Sequence, residues 1–425
     1  MKLLIITPVF PYPLESGGNK AQFLMIDKLR YDIDISLLCP KTSRENLAAL
    51  TEIWPGVNMH VLSVTDNIPV KKKIFLQGVF VRLSNFFRHP LASVKRKAGL
   101  LPKSQPPALV WPSSKNMVFT NTDMMSIDPA FLEYVDQKVK FEKFDIIQVE
   151  FINLISLGFI LPGDASKLFI HHEIGYIRTA RETDTLLQKS IHDQYLFERN
   201  KAFELECLKQ YDGVVTFSGV DKAELEKSIP VKVFNSPFPV ENQPNINTEK
   251  FQIEKVIFLG GESHYPNLDG LHWFLSSFNW AENHSVKIKI IGRWSQAIVD
   301  YYKDLKYVEF LGFVDDLNGY LKNSVMIVPL RIGSGIRTKI LEAFALGVPV
   351  ISTSIGIEGI PAVDRKHYFK ADTIPEFEAV IEELTKNPLL AMETAEKSKV
   401  ELSPLYEVDF CVDIRKKVYE DLLKS

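Results

Sequence analysis

Short β-branched apolar runs punctuate the chain, and stretches of helical spacing lie between them. KLLIITPVF (2–10) predicts a first buried strand. A Pro/Gly loop, PYPLESGGNK, follows it, and AQFLMIDKLR (21–30) then carries a helical pattern. DISLLCP (34–40), FDIIQVE (144–150), KLFIHHE (167–173) and DGVVTFS (212–218) predict further strands, and the clearest helix between them is 190–211. Strands that alternate with helices predict a parallel sheet covered on both faces.

The pattern stops at NSPFPVENQPNINTEK (235–250), which is rich in Pro and Asn and has no apolar period. It reads as a linker over 236–250. The pattern restarts at KVIFLGG (255–261) and continues through KIKIIGR (287–293), YVEFLGF (307–313), VMIVPL (325–330) and VPVIST (348–353). The expected fold is α/β: two Rossmann-like, doubly wound domains, 1–235 and 251–400, facing across a cleft. Residues 401–425 are expected to form a C-terminal helix that packs back toward the first domain. In open α/β sheets ligands bind at the carboxyl ends of the strands, here inside the cleft.

Bulk properties narrow the picture slightly. A chain of 425 residues is too long for one ordinary core. Its net charge of -3 names no partner. Cys39, Cys207 and Cys411 are odd in number and widely spaced, which fits a reducing compartment and neither a disulfide framework nor a zinc site. The N-terminal run is broken by prolines and does not read as a signal peptide, and no apolar run is long enough to span a bilayer. A cytoplasmic protein is expected. Residues 67–122 contain no Asp or Glu but carry VKKK (70–73), KRK (95–97) and interleaved aromatics such as Phe75, Phe86 and Trp111. Such a stretch can lie peripherally on the anionic inner face of a membrane, or receive an anionic acceptor. It can also be a solvated insertion with its aromatics packed inward. No nucleic-acid motif accompanies the charge.

The most informative stretch is RIGSGIRTKILEAFALGVPVIST (331–353). Gly333-Ser334-Gly335 separates a predicted strand from a helix expected to start at Ile336. Glycines there let the backbone approach a ligand, and the N–H groups of a helix start face an anion. Arg337 and Lys339 place two cations in the first turn. They oppose the helix dipole unless an anion such as a diphosphate lies between them. The carboxylate of Glu342 can accept two hydroxyl hydrogen bonds, as a ribose diol would offer. Gly347 ends the helix and Pro349 prevents it from resuming. The plainer alternative is a surface helix with a Lys–Glu pair.

These residues resemble the C-terminal donor-site motif of the retaining GT-B glycosyltransferases of family 4, also called group 1, in a variant linked to bacterial surface polysaccharides. PVFPYPLESGGNKAQ (8–22) is similar to that family's first glycine-rich loop, FLGGESHYPNLDGLHWF (258–274) to the opening of its second domain, and FLGFVDDL (310–317) to its base-binding strand and loop. The resemblance covers nearly the whole chain. It implies a GT-B fold and transfer of a hexose from a UDP- or GDP-linked sugar to a hydroxyl of a glycan or lipid-linked acceptor. Retention of configuration is implied, and no cofactor or metal. Glu342 would hold the donor ribose. Gly17 and Gly18 would bring backbone amides to the diphosphate or acceptor, and Ser334, Gly335 and Ile336 would line the donor. Phe313 and Val314 would pass under the nucleobase. His172, or in the alternative register His171, would stand near the transferring sugar; a strand alternates faces, so only one of the two can point into the cleft. Two departures stand out. The family's acid eight residues before Glu342 is replaced by Ser334, and the loop GGESHYPN has neither the Arg nor the Lys that the family often places there. Arg337 and Lys339 are then left to act on the phosphates.

Other candidates are Asn267, as a helix cap or a phosphate or sugar contact, and Arg293, at a strand end where it can reach the base or simply be exposed. Asp32 and Asp34 mimic a metal-binding pair at a strand start, and Asp315 and Asp316 suit a turn or cap. Three rival functions remain open at this level. A dinucleotide-dependent oxidoreductase would need G-x-G-x-x-G after the first strand, where this chain has PVFPYPLESGGN. A non-hydrolysing sugar epimerase shares the architecture. A catalytically degenerate partner subunit of a glycan-assembly complex would fit the loss of the acid at Ser334.

Overall fold

The computed structural model describes residues 1–14, 17–66, 126–184, 189–244, 246, 251–278 and 286–424; the basic aromatic stretch 67–122 lies outside them. The first domain holds β1 (Lys2–Ile6), β2 (Asp34–Ser43), β3 (Asn58–Thr65), β4 (Ile146–Glu150), β5 (Ser166–His171), β6 (Gly213–Thr216) and β7 (Lys232–Asn235). Their order is β3-β2-β1-β4-β5-β6-β7, and every neighbouring pair is parallel. The second domain holds β8 (Lys255–Leu259), β9 (Lys287–Ile291), β10 (Val308–Gly312), β11 (Ser324–Val328), β12 (Val350–Ser352) and β13 (Phe369–Lys370), in the order β10-β9-β8-β11-β12-β13, again all parallel. This is the doubly wound α/β architecture expected from the sequence.

Helices cover both sheet faces, so the central strands are buried on both sides. That is why KLLII and SVMIV read as continuous apolar runs instead of alternating ones. Strand order reverses at β1/β4 and at β8/β11, and each reversal opens a crevice at the carboxyl ends. The expected strand at 348–353 is shorter than its apolar run, because Thr353 leaves the sheet to cap the helix Ser354–Ile357 through Gly356 N.

The C-terminal segment ties the domains together. The helix Pro388–Leu402 packs on the helix Thr338–Leu346 of the second domain. A 3₁₀ turn, Ser403–Tyr406, then leads to the helix Val408–Leu423, which lies against the first-domain helix Gly17–Leu29. Lys28 pairs with Asp409 at 3.0 Å, and Lys416 pairs with Asp32. Asp32, half of the metal-like Asp-x-Asp pattern, is thus engaged by a helix from the far end of the chain.

The domains also meet directly. Arg181, on the helix Gly175–Asp184, forks onto Glu358 through two bonds of 2.6 and 2.7 Å and also donates to the Gly333 carbonyl. The pair is only partly exposed. Glu358→Ala should weaken closure by about 1–2 kcal/mol, the scale of a hydrogen-bonded charge pair discounted for exposure. Small-angle scattering should then report a larger radius of gyration than wild type. Superimposable curves would show that the pair does not hold the domains together.

Candidate active site

The loop between β11 and the helix Thr338–Leu346 forms the floor of the cleft. The helix begins two residues later than expected, so Arg337 occupies its N-cap and not its first turn. This position lets its side chain fold back, and Nη1 donates to the carbonyls of Ser334 and Gly335, the latter at 2.5 Å. Nη2 is buried with no hydrogen-bond partner among the described residues. Burial pulls the guanidinium's pKa down, and the carboxylates of Glu173 and Glu358 oppose that pull. Gly335 has φ +72°, and a Cβ there would lie 2.6 Å from the His172 carbonyl oxygen. Only glycine combines that backbone with that approach. Beside it the Ser334 hydroxyl donates to the Ile174 carbonyl at 2.7 Å. Ser334 therefore spends its hydroxyl on holding the domains together.

Lys339 donates to the Leu259 carbonyl and, at 2.9 Å, to Asn267 Oδ1. Burial pushes its pKa down to about 7; the Arg337 charge adds to this, and Glu342 opposes it. Asn267 does not cap a helix. His264 holds the N-cap of the helix Tyr265–Ser277, and Asn267, inside the first turn, donates to the Gly261 carbonyl at 3.3 Å while accepting from Lys339. It is a side-chain brace for the lysine. Glu342, one turn beyond Lys339, meets Lys20 of the first domain at 2.9 Å. A cavity of about 70 Å³ lies here, lined among others by Lys20, Glu241, Leu259, Asn318, Lys339 and Glu342. It is smaller than the roughly 300 Å³ or more of a small-molecule site, and the Lys20–Glu342 pair spans it.

At the carboxyl ends of β9 and β10 the Arg293 guanidinium lies 5.4 Å over the Phe313 ring, and Phe313 is 65% exposed. An exposed aromatic face beside a guanidinium suits a planar base. Val314 packs against the core, Asp316 caps the helix Leu317–Leu321 through Gly319 N, and Ile336 approaches Gly359. Across the cleft, Gly17 abuts the Thr338 side chain, and Gly18 faces the Phe151 ring and His172 Nδ1.

The two histidines part as strand alternation requires. His171 is buried, with Nε2 2.8 Å from Glu204 Oε1, and Glu204 also accepts from the amides of Gly175 and Tyr176. That arrangement is structural. His172 lies just beyond β5, stacked on Phe151 at 3.9 Å with 7° between the planes, and its Nε2 is 3.0 Å from Glu150 Oε2.

One cleft thus brings together Gly17, Gly18, His172, Asn267, Ser334, Gly335, Arg337, Lys339 and Glu342. Lys20, Glu150, Arg181 and Glu358 belong to the same region and were not singled out from the sequence. A signal existed for Glu150: Gln148 and Glu150 are polar residues two apart in an apolar strand, hence on one face. Lys20, Arg181 and Glu358 find their partners only through domain docking.

The fold is GT-B, and residues 254–387 match the family model of the glycosyl transferases group 1. Sucrose-phosphate synthase from Thermosynechococcus elongatus shares the fold with a TM-score of 0.67 over 100% of both chains at 13% identity. HepE from Anabaena, in a structure in complex with UDP, has a TM-score of 0.62, also over 100% of both chains and at 13% identity. In sequence the chain is 25% identical over 235 residues to an uncharacterized 44.6 kDa protein in the cps region of Klebsiella pneumoniae; the match spans 51% of this chain and 59% of that relative.

The position of Lys339 generates a pH signature. Its pKa of about 7 leaves it partly uncharged near neutrality. A diphosphate at Nζ would raise that value, so binding takes up a proton and affinity falls as pH rises through the window above the free value. Calorimetry with UDP and GDP at about pH 8, in two buffers of different ionisation heat, should show proton uptake by wild type and none by Lys339→Met. Equal uptake by both would remove Lys339 from the phosphate site.

Proposed function

We propose that this protein transfers a hexose from a UDP- or GDP-linked sugar to a hydroxyl of a glycan or lipid-linked glycan, in the assembly of bacterial surface polysaccharide. The observation that carries the reading is the buried Nη2 of Arg337, unpartnered among the described residues, with Lys339 and Glu342 following on the helix that Arg337 caps. A desolvated cation with a free donor calls for an anion, and a carboxylate one turn away suits a diol. The group 1 domain and the cps-region relative support the same direction.

In the proposed reaction the acceptor oxygen bonds to the anomeric carbon as the bond from that carbon to the diphosphate breaks; negative charge grows on the leaving phosphate, which takes up the acceptor's hydroxyl proton. Arg337, Lys339 and the helix-start amides stabilise that charge in a site from which closure excludes water. Glu342 holds the ribose, Phe313 and Arg293 face the base, and His172 faces the sugar. Retention of configuration is part of the proposal, carried over from the resemblance to that family, and the proposed chemistry uses no metal. The basic stretch 67–122 would hold the protein against an anionic membrane that carries the acceptor.

Ser334, in place of the usual acid, favours a second reading: a nucleotide-binding partner subunit without turnover of its own. Release of UDP or GDP from sugar donors, with and without acceptor extract, separates the two. Arg337→Met should slow release roughly a hundredfold, the scale of one lost charge-stabilising donor, and Glu342→Gln should raise the donor KM. Wild-type kinetics in both variants would reject the site. Tight nucleotide binding by a wild-type protein that releases nothing would favour the inert subunit.

A further inference from the structure

A chain of buried hydrogen bonds runs from the C-terminal helix to the cleft, and its chemistry permits only one direction. Glu150 ends β4. Its Oε2 meets His172 Nε2 at 3.0 Å and its Oε1 meets Gln148 Nε2 at 2.7 Å. An ionised carboxylate only accepts, so both neighbours must donate. Gln148 therefore turns its amide NH₂ to Glu150 and its oxygen to Tyr419, whose hydroxyl donates at 2.7 Å. The Tyr419 hydroxyl keeps its proton, because burial pushes it up to about 12. Burial also pushes the Glu150 carboxyl up, but the hydrogen bond from His172, the charge of Arg415 and the hydrogen bond from Gln148 pull it below the ordinary range, which keeps it ionised. Gln148, Glu150, Arg415 and Tyr419 are each at most 4% exposed, which keeps water from scrambling the order.

We propose that Glu150 is a positioning residue that fixes His172 as the Nε2–H tautomer, so that the bare Nδ1 faces the cleft as a hydrogen-bond acceptor. A neutral imidazole has one donor and one acceptor nitrogen, and the bond made by one decides the role of the other. Phe151 stacks on the ring and sets its plane. On the Nδ1 side stands Gly18, where an added Cβ would sit 3.9 Å from that nitrogen. Nδ1 can then accept a hydroxyl hydrogen from the transferring sugar, which rests on the reading that His172 faces that sugar.

Nitrogen NMR on the ¹⁵N-histidine-labelled full chain tests this, with the His172 signals assigned by their loss in His172→Gln. Wild type should show a protonated Nε2 and a bare Nδ1. In Glu150→Gln the new amide must turn its oxygen to the Gln148 NH₂ and its own NH₂ to His172. The imidazole should then reverse to Nδ1–H, sugar transfer should fall about tenfold, as for one lost hydrogen bond, and the Kd for UDP or GDP should stay the same. An unreversed tautomer with unchanged transfer overturns the proposal. If Glu150→Gln does not fold, Glu150→Ala serves: with no carboxylate to accept from Nε2, both His172 tautomers should appear, and a wild-type spectrum would overturn the proposal. A reversed tautomer with undiminished transfer would uphold Glu150 as the positioner while overturning the part given to His172 in transfer.

Discussion

The site depends on one backbone contact between domains. The turn Ser334-Gly335 presses on the strand exit at His172–Ile174, with Ser334 bonded to the Ile174 carbonyl and Gly335 against that of His172. That contact places the groups proposed to act on the donor. It sets the start of the helix Thr338–Leu346, hence the positions of Arg337, Lys339 and Glu342, relative to the first-domain groups His172, Gly17 and Gly18. The Arg181–Glu358 fork lies beside it and shares the Gly333 carbonyl. A side chain at Gly335 would pry the two domains apart at the point where the chemistry needs them joined.

Closure has an electrostatic consequence. Two cations are drawn out of water at the start of one helix, where the dipole disfavours them. Part of the cost is offset locally: Arg337 turns to backbone carbonyls, and Lys339 to a carbonyl and Asn267. What is left over is an unpartnered Nη2 and an amine whose pKa has fallen to about 7. Both are corrected by a bound anion. Lys20 on Glu342 similarly occupies a carboxylate that the proposed donor would claim. A nucleotide sugar bound as proposed would take over the Lys20–Glu342 contact and supply an anion to Arg337 and Lys339.

The fold was largely legible because each strand of a parallel sheet is buried on both faces and announces itself as an apolar run. The helix after GSG was legible too, though not its first residue: Arg337 reads as helical, yet its side chain is held by carbonyls of its own turn. Asn267 shows the limit of local rules. Its position after Pro266 suggests a cap, but the side chain is recruited by Lys339, which is far away in sequence. Lys20, Arg181 and Glu358 carried no local signal, since each acquires a role only from a partner in the other domain. Glu150 was half visible: alternation with Gln148 marks a polar face on a buried strand, but only the fold shows His172 at one end of it and Tyr419 at the other.

The most direct test of the central claim, that this cleft is a nucleoside-diphosphate site built on Arg337, Lys339 and Glu342, is thermal unfolding of the full chain against UDP, GDP, CMP, ADP and NAD. A ligand that binds the native state raises the midpoint by mass action. The account predicts a rise with UDP or GDP that is lost in Glu342→Ala. A rise with NAD alone, or one that survives in Glu342→Ala, would contradict it.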